Sequence, residues 1–196
     1  MGQEAGGFKY EAGISSFNLE LNSCTVNPVI SPKFVPGPYL LVGTSKLKWI
    51  NHIEFGRNRI NDETAHIIDS YHGKCTMTEF SVSTGCRYTF LNQEKLIVKP
   101  FIESDLFYSG IVYKGKMSGG YSGEGMIVDD KYSLIGVLIR PGLEIQPVSR
   151  ITITVSPSIK YGTGNKTRNT DDRTEKVKIV NISLVNICLG YSFGKN

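Results

Sequence analysis

Residues 148–162, VSRITITVSPSIKYG, alternate almost without a break between apolar and polar side chains. Ile151, Ile153, Val155, Pro157, Ile159 and Tyr161 fall on one face of an extended chain. Arg150, Thr152, Thr154, Ser156, Ser158 and Lys160 fall on the other. Successive side chains of a β-strand point to opposite sides, so the stretch predicts one strand between two different solvents. The same period recurs along the chain and predicts eight extended segments, near 8–19, 37–44, 47–57, 76–90, 95–112, 131–146, 149–161 and 177–193.

The predicted connections alternate strictly in length. Short ones fall around Ser45, at 91–95 and at 147–149; long ones span 20–36, 58–75, 113–130 and 162–176. In an antiparallel up-and-down meander this puts every short turn at one end and every long loop at the other, the asymmetry of an outer-membrane barrel. The second long loop predicts a short helix in NDETAHIIDSYHGK, with Asn61 as N-cap, Asp62 and Glu63 in the first turn and Gly73 as the stop. The third, KGKMSGGYSGEGMIVDDK, is glycine-rich and predicts a flexible connection.

Strand parity sorts the side chains into two sets. With the apolar set outward, the lumen receives Lys9, Lys48, Arg87, Lys99, Arg140, Arg150 and Lys160 together with Glu11, Glu54, Glu79, Glu103, Asp105 and Glu144. Seven cations against six anions suit an interior network, because buried charge is tolerated only when paired. On the outward face Tyr10, Trp49, Tyr88, Phe90, Tyr191 and Phe193 gather near the short turns. Tyr39, Phe80, Tyr108 and Tyr161 gather near the long loops, with aliphatic residues such as Ile53, Ile102, Val137, Ile139 and Ile153 between. Two aromatic belts flanking an aliphatic band match the two interfaces of a bilayer. Alternation alone leaves open the opposite arrangement, a soluble barrel carrying an apolar ligand inside.

Composition adds exclusions. The 196 residues carry 22 basic and 18 acidic side chains, a net charge of +4, with no basic stripe interleaved with stacking aromatics; nucleic acid is not an expected partner. No run of eighteen apolar residues predicts a membrane-spanning helix, and MGQEAGGFKYEAG shows no basic and apolar signal-peptide regions. Pro100, Pro141 and Pro157 fall inside predicted strands and imply local bulges. Leu134, Leu138, Ile182 and Leu184 break the polar-inside rule.

The chain resembles the small outer-membrane β-barrel proteins of Gram-negative bacteria, the porin-like outer-membrane β-barrel domains. The resemblance rests on GFKYEAGISSFN, FSVSTGCRYTF, VKPFIESDLFYSG, LIGVLIRPGLEIQP and the closing NICLGYSF. It implies an all-β, eight-stranded antiparallel transmembrane barrel over 8–193, a periplasmic segment at 1–7, a tail at 194–196, and location in the outer membrane. It further implies that Tyr191 and Phe193 serve as the signal read by the assembly machinery, although Gly194, Lys195 and Asn196 follow them.

Side chains fill an eight-stranded barrel, so a general diffusion pore is not expected. No catalytic constellation stands out. His52 lies in the inward set; His66 and His72 are six apart, not the i, i+4 of a helical metal pair; Asp129–Asp130 and Asp171–Asp172 lack calcium-loop spacing. No enzyme activity and no cofactor are expected. Cys24 and Cys75 fall at the long-loop end and are a candidate disulfide pair, against the alternative of four free thiols; Cys86 is expected to face lipid and Cys188 the lumen. The expected role is a structural or adhesive surface protein, or the membrane subunit of a larger complex. Its expected partners are outer-membrane lipid and other outer-membrane or periplasmic proteins. The alternatives are a soluble carrier of an apolar ligand and a loop-borne lipid-modifying enzyme.

Overall fold

The computed structural model describes residues 9–22, 29–33, 36–61, 71–90, 96–119, 125–168 and 173–193. They form nine strands: β1 (Lys9–Asn22), β2 (Val29–Lys33), β3 (Gly37–Gly43), β4 (Leu47–Asn61), β5 (Tyr71–Thr89), β6 (Val98–Gly119), β7 (Gly125–Val148), β8 (Ile151–Arg168) and β9 (Arg173–Phe193). Each strand from β3 onward pairs antiparallel with the next, and β9 pairs with β1 from Tyr10↔Phe193 to Leu21↔Ile182, so the sheet closes on itself. β2 and β3 pair with successive levels of β1, Asn22↔Val29 to Asn18↔Lys33 and then Ser15↔Gly37 to Lys9↔Gly43. They are two lengths of one stave, and the ring has eight. Closure satisfies backbone groups that an open sheet would leave at its edges.

The expected loops are largely strand. β6 and β7 run for 22 and 24 residues and stay in register to Ser118↔Gly125, so both described ends of the glycine-rich segment expected to be flexible are strand. Tyr113 and Tyr132 stack edge-to-face with centroids 5.5 Å apart and brace this extension, offsetting the weak strand preference of its glycines. The helix expected over 61–74 is absent at both described ends: Asn61 closes β4, and Tyr71–Lys74 belong to β5, paired with β6. His66 lies outside the described residues. So do 1–8 and 194–196, which hold the expected end segments. About 9–11 tilted residues cross a bilayer, so strands of this length continue well past it at the end opposite the short turns.

Two irregularities explain residues that had broken the sequence rules. β9 carries one extra residue near Leu184: Asn186 pairs with Ser156 but Ser183 pairs with Ser158, and β1 sees the same slip. This bulge flips parity, so Ile182 and Leu184 point outward and Ser183 inward. Of the bulges expected at Pro141 and Pro157, the one at Pro157 is formed toward β9, where the register shifts between Ser156 and Ser158, and none is formed between β7 and β8. Pairing passes from Ile139↔Ile159 to Leu143↔Val155 without a shift, which sets the two prolines opposite each other at a gap in the ladder. Neither has an N–H to donate, so placing them together confines the lost bonds to one spot.

Candidate functional site

The lumen is the most chemically concentrated region. Glu103 on β6 is fully buried, and two guanidinium groups close on it from either side. Arg87 Nε and Nη2 donate to its Oε2 at 2.9 and 2.8 Å. Arg140 Nη1 donates to its Oε1 and to Asp105 Oδ2, the latter at 2.9 Å, while Nη2 lies 3.6 Å from Glu54. Lys48 reaches Glu144 at 3.3 Å and Glu11 at 3.9 Å; Tyr39 donates to Glu11 at 2.8 Å. Higher up, Lys160 and Ser109 both donate to Glu79, at 3.1 and 3.0 Å. Arg87 also lies over the Phe101 ring, 4.3 Å from its centroid. Lys99 is buried near the short turns, where its Nζ donates to Gln146 at 3.0 Å.

This is a plug. Buried ions at this density are tolerable only where each finds a counter-ion, and removing one partner is worth far more than the pair itself. Above the plug remains a polar pocket of about 30 Å³ lined by Glu54, Glu79, Arg140 and Lys160 among serines and asparagines. That is room for water, not for a permeating solute.

His52, Glu103 and Asp105 bring ligand-type atoms within 4.8 Å of one another. A metal does not fit among them, because Arg140 Nη1 already bonds all three, including His52 Nε2 at 3.1 Å.

Some inward assignments change. Lys9 is exposed at the start of β1, and Arg150 is exposed in the turn, where it donates to the Tyr191 hydroxyl at 3.2 Å. Of the charged residues expected inside, five cations (Lys48, Arg87, Lys99, Arg140, Lys160) and six carboxylates (Glu11, Glu54, Glu79, Glu103, Asp105, Glu144) do face inward; Asp130 and Lys166, paired at 3.0 Å, share the inward side higher up. Tyr39, expected on the outer face, is buried inside with Leu41, Ile50 and Cys188. Gly190 permits this, since a Cβ there would overlap the Tyr39 hydroxyl.

Tyr10, Trp49, Tyr88, Phe90, Tyr108 and Tyr161 are exposed on the outer surface, as are Tyr191 and Phe193, whose rings meet edge-to-face at 5.0 Å. Between the aromatic levels the outer surface is aliphatic: Ile53, Ile102, Leu106, Ile139 and Ile159 stand exposed. A barrel with ion pairs inside and this band outside is built for lipid contact, and the polar interior offers no apolar ligand cavity for a soluble carrier. No helix of the described residues is long and apolar enough to cross a membrane. Cys86 is exposed on the outer face and Cys188 is buried, both free; of the expected Cys24–Cys75 pair, Cys75 lies in β5 opposite Ile60 and Gly115, and Cys24 lies outside the described residues.

Sequence reasoning missed the inversion above this band. On β6–β9, from the level of Tyr108 and Tyr161 upward, apolar side chains gather inside: Phe107 and Leu138 at that level are buried with Leu134 above it, and Ile111, Tyr132, Val177 and Ile179 pack against them. The outward side chains turn polar and basic, with Lys114, Lys131, Lys176 and Lys178 exposed. The rule-breaking Leu134 and Leu138 were its one sequence signal.

No family model matches the chain, and no curated protein matches it. Solved structures do. Neisserial surface protein A superposes with a TM-score of 0.52 at 12% identity, covering 95% of this chain and 97% of that one. A major outer membrane protein from Thermus thermophilus superposes with a TM-score of 0.53 at 9% identity, covering 95% of this chain and 100% of that one. At such identities the likeness concerns the fold alone, and it agrees with the closed ring of strands: this chain has the fold of the eight-stranded outer-membrane β-barrels.

Proposed function

We propose that the chain is an integral outer-membrane protein of a Gram-negative cell, without enzymatic activity. In this reading the sealed barrel is an anchor, and the tall wall formed by β5–β9 is a contact surface for molecules outside the cell. The carrying observation is the Arg87–Glu103–Arg140 network across the lumen: a barrel plugged by such a network does not conduct, so function moves to its surfaces. The lengths of β5–β9, 19, 22, 24, 18 and 21 residues, support the second half, because a bilayer uses only about half of each. The lumenal carboxylates are engaged with guanidinium or ammonium groups, and His52 lies against Arg140, which supports a reading in which they meet no substrate.

The test pairs two measurements on protein folded in detergent and then in planar bilayers. A band that resists SDS until boiled and then shifts in mobility is expected, with no steady conductance. Solubility without detergent and no shift would end the membrane reading. Stable conductance steps from the wild-type protein would end the sealed-anchor reading and restore a pore.

A further inference from the structure

On the outer wall, immediately above the upper aromatics, four adjacent strands bring their side chains into two lateral rows. The lower row is Gly110, Ser133, Asn165 and Lys176, fixed by the pairs Gly110↔Ser133, Ser133↔Asn165 and Asn165↔Lys176. The upper row runs through Lys131↔Thr167↔Thr174. All of these except Lys176, together with Val112 beside Lys131, line a groove of about 440 Å³. Gly110 makes its floor: a Cβ built there would meet nothing within 4 Å, so no backbone constraint requires glycine, and the missing side chain leaves open space.

The chemistry of the groove is specific. Ser133 donates to the Tyr108 hydroxyl at 3.2 Å, and Thr167 and Thr174 share a bond at 3.4 Å; each hydroxyl retains further donor or acceptor capacity. Lys131 has no ion-pair partner among the described residues. Nor do Lys114, Lys176 and Lys178, which share this outward wall, and Asp129 is its one carboxylate among the described residues. Directly below, Tyr108, Ile135 and Tyr161 continue the lipid-facing band. A site with hydroxyl and amide groups, surplus positive charge and an apolar apron on the membrane side matches one class of molecule: a lipid whose headgroup is a phosphorylated sugar.

We infer that the outer-wall groove at Gly110, Lys131, Ser133 and Asn165 binds the phosphorylated sugar headgroup of an outer-leaflet glycolipid, whose acyl chains lie along Tyr108, Ile135 and Tyr161. Lys131 is the phosphate contact, and Ser133, Asn165, Thr167 and Thr174 meet sugar hydroxyls. This rests on the proposed placement in the outer membrane, so each variant is first checked for the heat-dependent mobility shift.

The experiment titrates the folded protein in neutral detergent micelles with bisphosphorylated lipid A, read by native mass spectrometry. Dephosphorylated lipid A and soluble glucosamine 6-phosphate serve as comparison probes. Wild type is expected to bind one bisphosphorylated lipid, with weak binding of the other two probes. Lys131→Gln and Gly110→Leu, the latter filling the groove from an unobstructed position, are each expected to weaken binding by about tenfold. Arg57→Gln, an equal charge loss on the outward face of β4, is expected to change it less than twofold. Folded Gly110→Leu protein that binds as tightly as wild type would overturn the groove. Equal losses in Lys131→Gln and Arg57→Gln would replace it with diffuse charge attraction. Equal affinity for glucosamine 6-phosphate would overturn the lipid as occupant. A wild-type protein without the mobility shift would fail the membrane reading instead.

Discussion

The membrane-embedded ring and the wall above it are built from the same strands with opposite rules. Along β7, Ile139 and Val137 face outward while Arg140 faces in; a few residues further on, Lys131 faces outward while Tyr132 and Leu134 face in. Nothing in the backbone changes between them: β7 pairs with β6 without a register shift from Ile145 to Gly125. What changes is the solvent. In the ring, lipid lies outside and the interior must hold its own ions; above it, water lies outside and the inner face becomes a small hydrophobic core. The point of reversal, near Ser133 and Tyr108, marks the membrane boundary on the structure.

The largest effect expected on this contrast comes from the ring. Glu103→Ala leaves Arg87 and Arg140 buried without their shared partner and is expected to cost about 3–5 kcal/mol, read by urea unfolding in micelles. Next comes a paired substitution across the boundary. Ile139→Arg puts charge on the lipid face and is expected to cost about 2–4 kcal/mol, whereas Ser133→Arg, only six residues away on the same face, should stay within about 0.5 kcal/mol. Equal costs would erase the boundary. In the upper core, Leu134→Ala is expected to cost about 2 kcal/mol in the same unfolding measurement while leaving the SDS-resistant ring intact. The smallest effect belongs to the pair of Lys166 with Asp130, 3.0 Å apart and partly exposed. Asp130→Asn should cost less than about 1 kcal/mol and lose even that difference at 1 M salt.

The ring was largely legible in the sequence because two-residue alternation survives wherever lipid and a polar interior face each other across one strand. That signal placed Glu103, Arg140 and Glu144 inward and Tyr88 and Tyr161 outward. It slipped where geometry broke the period or ended the strand. The extra residue at Leu184 reversed β9 beyond it, Tyr39 filled a space left by Gly190, and Lys9 and Arg150 fell at strand ends, where parity no longer aims a side chain at the lumen. The upper wall was illegible for a different reason. Its outward side is as polar as a loop and its glycines are turn-like, so KGKMSGGYSGEGM read as a flexible connection, although at its described ends, 114–119 and 125–126, tyrosine stacking below and strand partners hold the chain extended. The groove could not be read at all, since it depends on the lateral register of four strands.

The reversal itself is open to direct measurement. In a variant with Cys24, Cys75, Cys86 and Cys188 replaced by serine, single cysteines introduced by Ile139→Cys, Ile135→Cys, Ser133→Cys and Lys131→Cys carry a nitroxide label in lipid vesicles. Collision with oxygen, which concentrates in lipid, is compared with collision with a water-soluble nickel chelate. Oxygen-dominated relaxation is predicted at 139 and 135 and chelate-dominated relaxation at 131, with the crossover at 133. Chelate-dominated relaxation at all four positions would contradict the membrane boundary, because the outer face of β7 would then meet water along its whole length.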